Sequence, residues 1–380
     1  MNKRKTFQTF LFAMVILSFV EICWYRSFVS KFYEGIFIVK KNIMTFPLTS
    51  VRSTYRSHLP RITFPPLNDS ELQIALCTSI RNEEHYLSEW LDYHLALGFS
   101  MIIISDNSAK STLTPYNNTH NDRVRVFSTP NQTRTIFKQI KDEQLRHPHW
   151  HMLQNNACID YLKQLRRPPE WLALFDVDEF LVLKKHSNAI EFMQEYVPNG
   201  TINVNSFFFG TSNHSKYLDY PVTQRFTFQE DRVNHATKSF GKLSDVKVAF
   251  VHYMGIKKRP PTPNVLQRTF GPGRTQNLCC VENGTADVAV FHHYYTRSLE
   301  EIQQRVLCGQ NTCKQLKERR IFSGTKQNVD AWETLKRNLP HYSVLEEEYK
   351  KEVLKTYGNK QSEEYERAYQ ILIGGNRTDM

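Results

Sequence analysis

Residues 171–180 read Trp-Leu-Ala-Leu-Phe-Asp-Val-Asp-Glu-Phe, an apolar run that ends abruptly in three carboxylates. The run has the length of one buried strand. On an extended backbone Asp176 and Asp178 point the same way, and Val177 turns back toward the core. Hard divalent cations such as Mg2+ or Mn2+ accept one or two carboxylates together with substrate phosphate oxygens. The stretch therefore predicts a metal site for a nucleotide diphosphate at the carboxyl end of a strand, where ligands of open α/β sheets bind. A solvated turn is the alternative.

The N-terminal residues predict a membrane anchor. An apolar segment at residues 7–25 follows Lys3, Arg4 and Lys5, and about 20 residues span a bilayer. A cleaved signal peptide is the alternative, but bulky side chains follow the apolar core where a signal peptidase needs small ones. The basic cluster predicts a cytoplasmic tail at residues 1–6 and a lumenal remainder, which is type II topology.

Two counts agree with a lumenal chain. Acceptor motifs for N-glycosylation occur at Asn68, Asn117, Asn131, Asn199, Asn213, Asn283 and Asn376. Six of the seven cysteines lie beyond the anchor, an even number compatible with disulfides in an oxidising lumen. Cys77 and Cys158 fall in apolar patterns and are predicted to be buried thiols. The pairing of the remaining four stays open: Cys308 and Cys313 are close enough in sequence to close a short loop, and Cys279 or Cys280 could pair with either of them.

The formal charge of +11 is concentrated near the N-terminus. Residues 1–61 hold ten Lys or Arg against Glu21 and Glu34, which gives +8 and leaves +3 for the other 319 residues. That remainder has no basic helix with interleaved aromatics, so a nucleic-acid partner is not expected. The basic stem at residues 26–69 is interpreted as a spacer near anionic lipid headgroups.

A strand-helix-strand rhythm over residues 70–325 predicts an α/β domain with a mostly parallel central sheet flanked by helices. In its first unit, Leu72–Ile80 is a short apolar strand, a helical pattern closes at Gly98, and Met101–Ile104 is a second buried strand. No Gly-rich phosphate loop is present in the sequence, which counts against a dinucleotide or P-loop enzyme. Residues 326–380 are rich in charge and in helix formers, and they predict a C-terminal helical extension.

The order and spacing of several segments resemble glycosyltransferase family 92 and its relatives with the family 2-like GT-A fold. These segments are Cys77–Gly98, Ile104–Ser108, Asp176–Phe180, Phe208–Gly210, His235–Lys238 and His292–Ile302. The resemblance covers roughly residues 72–310, and it departs from the family pattern at Phe208, where Trp is expected. It implies a GT-A nucleotide-diphospho-sugar transferase fold, carried here behind an N-terminal transmembrane helix and followed by C-terminal helices.

The resemblance also implies a reaction: transfer of a sugar, often galactose from UDP-galactose, onto a glycan hydroxyl in the Golgi lumen, with inversion at the anomeric carbon. Asp176 and Asp178 would hold Mn2+ or Mg2+ against the diphosphate. His293 would complete the coordination shell, although a satisfied buried histidine is the alternative, and His252 is a further candidate. The expected partners are a nucleotide sugar, a glycan acceptor and the membrane.

Four residues would bind the nucleotide. Asn82 and Glu83 would line its pocket, Asp106 would hold the uracil or ribose, and Lys238 would offset phosphate charge together with residues 257–259. Three structural alternatives stand beside these roles. Asp106 would be a turn cap, Glu83 would complement a helix dipole, and the basic residues would be solvated.

An inverting transfer needs a carboxylate that takes the proton of the acceptor hydroxyl. Asp231 is the expected base, Glu230 lies beside it, and Glu179 next to the metal pair is a further candidate. A retaining transfer would need no such base. Two other functions remain open on the same residues: an inactive GT-A-like glycan-binding membrane glycoprotein, and a metal-dependent phosphotransferase or phosphohydrolase.

Overall fold

The structure is a computed structural model that describes residues 55–60, 62–67, 73–108, 113, 116, 119–128, 146–256, 286–307 and 324–374. The predicted anchor at residues 7–25 and most of the predicted stem lie outside the described residues. Among the described residues, no helix has the length and apolar character that a membrane crossing requires. Residues Thr49–Tyr369 form one compact unit.

Twelve strands, eight helices and a short helical turn at Thr119–Asp122 build the described part of the chain. The strands are β1 Ile74–Ile80, β2 Met101–Asp106, β3 Val124–Ser128, β4 Trp171–Leu174, β5 Glu179–Leu183, β6 Thr201–Phe208, β7 Phe228–Gln229, β8 Asn234–Lys242, β9 Val246–Ala249, β10 Met254–Ile256, β11 Ala289–His293 and β12 Lys326–Gln327. The helices are α1 Glu84–Ala96, α2 Arg146–Gln164, α3 Ala189–Tyr196, α4 Val222–Arg225, α5 Leu299–Leu307, α6 Asp330–Asn338, α7 Leu345–Tyr357 and α8 Gln361–Gly374. Short 3-10 helices occupy Tyr55–His58 and Pro340–Val344.

The central sheet has eight strands in the order β3-β2-β1-β4-β8-β6-β11-β5. Strands β3, β2, β1 and β4 pair in parallel, as the sequence predicts, and β11 pairs in parallel with β6. Strands β8 and β5 run in the opposite direction. Six strands therefore share one direction, and the carboxyl ends of β1, β2, β4, β6 and β11 meet at one edge of the sheet.

The first unit has the architecture that its sequence pattern predicts. Strand β1 is buried along almost its whole length, as expected for a parallel strand covered on both faces. The helix that follows ends before Gly98, whose φ of +107° is a conformation that favours glycine. Strand β2 then pairs with β1 so that Ile80 lies opposite Asp106. The polar residues after both strands therefore come together at the sheet edge.

The predicted C-terminal helices are also present, as α6, α7 and α8. Buried residues of this region join the main core around the central sheet, among them Trp332, Leu335 and Tyr342. Tyr55 from the start of the described chain belongs to the same core. Helix α6 and the start of α7 thus share the hydrophobic core of the sheet.

The prediction that Cys77 and Cys158 are buried thiols is wrong, because the two cysteines form a disulfide. The bond joins β1 to α2 across 81 residues of sequence, and the Cα atoms lie 6.4 Å apart. Both residues are buried, as their apolar surroundings suggest. Apolar patterning reports burial and carries no information on which distant residue lies opposite, so the bridge was not predictable from it. The four other cysteines that follow residue 25 lie outside the described residues.

Candidate functional site

The acidic pair lies in a tight turn between β4 and β5. The Glu179 backbone N–H donates to the Asp176 carbonyl at 3.1 Å, and the Asp176 N–H donates to the Glu179 carboxylate at 2.9 Å. The expectation of an extended backbone is therefore wrong. The chain must reverse direction here, because β5 runs antiparallel to β11 at the far edge of the sheet. Val177 faces the core at 1% exposure, as predicted.

Because of this turn, the two aspartates have different partners. The Asp176 carboxylate pairs with Lys238, which β8 supplies from the neighbouring position in the sheet. The same ammonium lies 3.2 Å from Glu179, whose side chain is 2% exposed. Burial lowers the pKa of Lys238, but the two carboxylates outweigh it and hold the pKa above its ordinary value. Lys238 is thus a buried counterion, and the alternative of a solvated basic loop does not apply to it. Residues 257–259 lie outside the described residues.

Asp178 faces His293 at the end of β11. The Asp178 Oδ1 and His293 Nε2 atoms lie 3.5 Å apart, and the other ring nitrogen lies 3.5 Å from Glu179 Oε1. Burial lowers the pKa of His293, but the two carboxylates outweigh it and raise the pKa above its ordinary value. His252 has another environment, since its Nδ1 lies 3.1 Å from the Thr237 carbonyl oxygen.

A divalent cation fits Asp178 and His293 by donor type and by spacing. Neighbouring ligands of an octahedral cation lie about 3 Å apart when each bond is about 2.1 Å. A ligating histidine usually donates its second N–H to a carboxylate, and here Glu179 Oε1 lies 3.5 Å from that nitrogen. Within the described ranges, no group of three His, Cys, Asp or Glu side chains is assembled for a metal ion. The third expected ligand, Asp176, pairs with Lys238, and cation binding by Asp176 stays a prediction.

A buried arginine completes the charge arrangement around Asp178. The Arg297 guanidinium lies 3.0 Å from Glu83 Oε1 and 3.4 Å from Asp178 Oδ2. Its Cζ lies 3.8 Å from the centre of the Tyr86 ring. The backbone of Arg297 has a φ of +60°, in the left-handed region that arginine seldom occupies. Glu83 therefore pairs with Arg297, an ion pair that neither of its predicted roles includes.

Sequence reasoning assigned no role to Arg297, and its position gives no local signal. Its setting could have been found in part, because Ser298-x-x-Glu301 is a capping box at the start of α5. The Ser298 N–H donates to Glu301 at 3.0 Å, and the Glu301 N–H donates to Ser298 Oγ at 3.3 Å. Arg225 and Tyr86 also bind the Glu301 carboxylate. This network fixes the start of α5 directly behind Arg297.

Helix α1 holds the backbone that follows the acidic turn. Trp90 Nε1 donates to the Glu179 carbonyl at 2.9 Å, and the Tyr93 hydroxyl donates to the Leu181 carbonyl at 2.8 Å. The Leu181 N–H lies 3.4 Å from His94 Nε2, while His94 Nδ1 lies 2.9 Å from the Trp90 carbonyl. The helical pattern predicts burial of Trp90 and His94. It did not include Tyr93, and it gave no indication of the hydrogen bonds to β5 and the residue before it.

The residues expected to bind the nucleotide lie after β1 and β2. Asp106 is fully buried, and its Oδ1 accepts the Ser108 N–H at 2.9 Å, which is the turn-capping role given above as the alternative. The Asn82 N–H donates to Ser108 Oγ at 3.0 Å, and Asn82 has a φ of +56°. The two loops are therefore fastened to each other. Nucleoside binding by Asn82, Glu83 and Asp106 stays a prediction.

The two candidate bases lie between β7 and β8. Asp231 is exposed, whereas Glu230 is half-buried and its N–H donates to the Phe208 carbonyl at 2.9 Å. Phe209 and Gln229 form the adjacent antiparallel bridge. Directly opposite residues of antiparallel strands share a face, so Glu230 and Phe208 point to the same side. Burial raises the pKa of Glu230.

Aromatic rings surround His293 on this side of the sheet. Phe208 lies opposite His293 in the β6–β11 register, and their ring centroids are 4.8 Å apart in an edge-on arrangement. The Tyr295 ring is nearly parallel to Phe208, at a tilt of 18° and a centroid distance of 6.0 Å. All three side chains are partly exposed.

Comparison with known proteins gives one consistent similarity. The model of glycosyltransferase family 92 matches residues 72–321. A glycosyltransferase family 92 protein of Oryza sativa subsp. japonica is 24% identical over 157 residues, which is 40% of this chain and 24% of that protein. One from Ricinus communis is 28% identical over 142 residues, 37% of this chain and 21% of that protein. The matches thus span about a quarter or less of these relatives' length.

Proposed function

Since this chain belongs to glycosyltransferase family 92, we propose that it transfers a sugar from a nucleotide diphosphate donor to a glycan hydroxyl, with a divalent cation at Asp178 and His293. The observation that carries the proposal is the Asp178–His293 pair with Glu179 behind it. This pair lies at the edge of the sheet where β1 and β2 end and the loops after them begin. A cation bound there would neutralise the charge that grows on the leaving diphosphate.

The cations of the protein itself have a defined task in this mechanism. Lys238 and Arg297 are both buried and both contact the acidic turn. They hold Asp176 and Asp178 in place and reduce the repulsion between the carboxylates before a donor arrives. When a diphosphate binds, the two fixed positive charges would also stabilise its phosphate oxygens, because such preorganised charges need no reorganisation during the reaction.

Glu230 is the stronger candidate for the base of an inverting transfer. The acceptor hydroxyl oxygen forms the new bond to the anomeric carbon, the bond from that carbon to the diphosphate oxygen breaks with its electron pair, and Glu230 takes the hydroxyl proton. Partial burial and a raised pKa suit this role, because a base works best when its pKa approaches the working pH. Asp231, the base expected from the sequence, is exposed.

The finer assignment follows the family resemblance and the N-terminal pattern. We take galactose from UDP-galactose as the donor, Mn2+ as the cation with Mg2+ as its substitute, and inversion as the stereochemical course. The predicted anchor at residues 7–25 and the N-glycosylation motifs support a type II Golgi membrane protein with a lumenal catalytic domain. Two of those motifs, at Asn199 and Asn213, are exposed in the described part of the chain.

The test is a donor-and-acceptor screen with the purified full chain. UDP-galactose, UDP-glucose and UDP-N-acetylglucosamine are each incubated with Mn2+ and a panel of p-nitrophenyl glycosides, and UDP release is measured. The proposal expects release that needs both Mn2+ and an acceptor, fastest with UDP-galactose. Phosphate release from simple esters would favour the phosphotransferase instead. Glycan binding without turnover of any donor would favour the inactive glycan-binding protein.

A further inference from the structure

Three consecutive phenylalanines at the end of β6 are sorted to opposite faces of the sheet. Phe209 is fully buried and packs on His292 and Tyr294, with ring centroids 4.6 and 4.7 Å away. Phe208 packs on His293 and Tyr295 instead, and it stays partly exposed. The alternation follows from the period of two along a strand. Two similar aromatic clusters therefore exist, one in the core and one at the site.

We infer that Phe208 and Tyr295 form the platform on which the acceptor sugar stacks. This inference rests on the proposed function and names the part of the site that receives the acceptor. The π-face of an aromatic ring carries partial negative charge, and the C–H groups on one face of a pyranose carry partial positive charge. A partly exposed aromatic pair thus suits a sugar ring, whose hydroxyls remain free for polar side chains.

The position of the platform assigns it to the acceptor. Along the sheet edge, the loops after β1 and β2 come first, the acidic turn after β4 comes next, and the ends of β6 and β11 follow. A donor would place its nucleoside at the loops after β1 and β2 and its diphosphate at the acidic turn. The ends of β6 and β11 then remain for the acceptor. His293 separates Phe208 from Asp178, so the platform lies one ring beyond the cation ligands.

The chemistry next to the platform agrees with this order. Glu230 lies directly opposite Phe208 across the β6–β7 bridge and points to the same face. A sugar stacked on Phe208 would therefore present its hydroxyl edge to the carboxylate that takes the proton. The pairing of these two segments continues at Gly210, whose N–H donates to the Phe228 carbonyl at 2.9 Å. Phe228 is 37% exposed.

The experiment separates acceptor binding from donor binding in the full chain. Phe208→Ala and Tyr295→Ala are compared with the ring-preserving Phe208→Tyr and Tyr295→Phe. Phe127→Ala is the control, because Phe127 is a surface phenylalanine (39% exposed) on the outer strand β3. Initial rates with UDP-galactose, Mn2+ and the best p-nitrophenyl glycoside give KM for each substrate. UDP release without acceptor reports donor hydrolysis, and circular dichroism reports folding.

We expect Phe208→Ala and Tyr295→Ala to raise the acceptor KM at least tenfold. The donor KM and the rate of donor hydrolysis should stay within twofold of wild type. The ring-preserving variants and Phe127→Ala should stay within threefold for the acceptor KM. An unchanged acceptor KM, or a donor KM that rises in step, would overturn the inference. If the wild type turns over no donor, the proposed function fails separately.

In that case saturation-transfer NMR with the same glycosides tests acceptor binding without turnover. Glycoside binding that Phe208→Ala does not reduce would refute the role of Phe208 in the platform.

Discussion

Arg297 Nη2 lies 3.4 Å from Asp178 Oδ2 while Arg297 Nη1 lies 3.0 Å from Glu83 Oε1, so one buried side chain links the start of α1 to the acidic turn. Arg297 does not need to touch a substrate to matter. It fixes the orientation of the carboxylate that we assign to the cation, and it is therefore a positioning residue. The left-handed backbone at Arg297 has a cost of about 1 to 3 kcal/mol, which the ion pairs and the stack on Tyr86 offset.

The first prediction concerns this link. Arg297→Gln should lower the free energy of unfolding by about 3 kcal/mol, because it leaves two largely buried carboxylates without their shared cation. The double variant Glu83→Gln/Arg297→Gln should recover part of that loss, and urea denaturation of both measures it. Arg297→Lys keeps the charge without the planar fork, so it should fold and yet need more Mn2+ for half-maximal activity. Equal Mn2+ requirements in Arg297→Lys and wild type would contradict the positioning role.

The second prediction uses two adjacent histidines. His293→Gln should weaken Mn2+ activation by roughly 100-fold, since loss of even an outer partner of a metal site costs about 10 to 100-fold. His292 is the matched control: it is fully buried, and within the described residues neither of its ring nitrogens has a hydrogen-bond partner. His292→Leu should leave the Mn2+ requirement unchanged and raise the free energy of unfolding by about 1 kcal/mol. The opposite ranking of the two variants would refute the assignment.

The third prediction is a pH dependence of stability. Burial lowers the pKa of His94 to about 3, although the bond to the Trp90 carbonyl acts in the other direction. The unfolded chain binds this proton near pH 6.5 and the folded chain does not, so stability is complete above pH 6.5 and is lost as the pH falls. Between pH 7 and pH 5 the free energy of unfolding should therefore fall by about 2 kcal/mol because of His94. Denaturation curves of wild type and His94→Gln should show a difference of that size in their pH dependence, and parallel curves would rule it out.

The fourth prediction concerns the disulfide between β1 and α2. Closing a loop of 81 residues stabilises the folded chain by about 4.5 kcal/mol in the chain-entropy model. The Cys77→Ala/Cys158→Ala variant should lose a large part of this, measured by urea denaturation without reductant. Added reductant should destabilise wild type by more than it destabilises this variant. Equal stability of wild type and variant would mean that the bridge does not form.

Local patterns predicted the elements that depend on local sequence. The apolar run before Asp176 is β4, and the spacing after Ile80 is α1, because burial on a regular backbone imposes a period that can be read directly. A turn at Asp176–Glu179 was only the alternative interpretation of the sequence, since the reversal depends on the pairing of β5 with β11 far along the chain. The register across the sheet depends on which strands become neighbours, and local sequence patterns do not indicate which strands pair.

The same limit applies to the site. Asp178 and His293 were predicted as partners from the family resemblance, and the structure places them 3.5 Å apart. Arg297 was missed because its carboxylate partners come from α1 and from the β4–β5 turn. The sequence favoured Asp231 over Glu230 as the base. The two residues differ in exposure and in strand pairing, and the sequence of two neighbouring residues indicates neither property.

The most direct test of the account is calorimetric titration of UDP into the full chain with and without Mn2+, for wild type and Asp178→Asn. Wild type should bind UDP at least tenfold more tightly with Mn2+ than without it, and Asp178→Asn should lose that difference while its thermal unfolding stays close to that of wild type. Equal UDP affinity with and without Mn2+ in wild type, or an unchanged Mn2+ effect in Asp178→Asn, would contradict the claim that Asp178 holds a cation for the diphosphate.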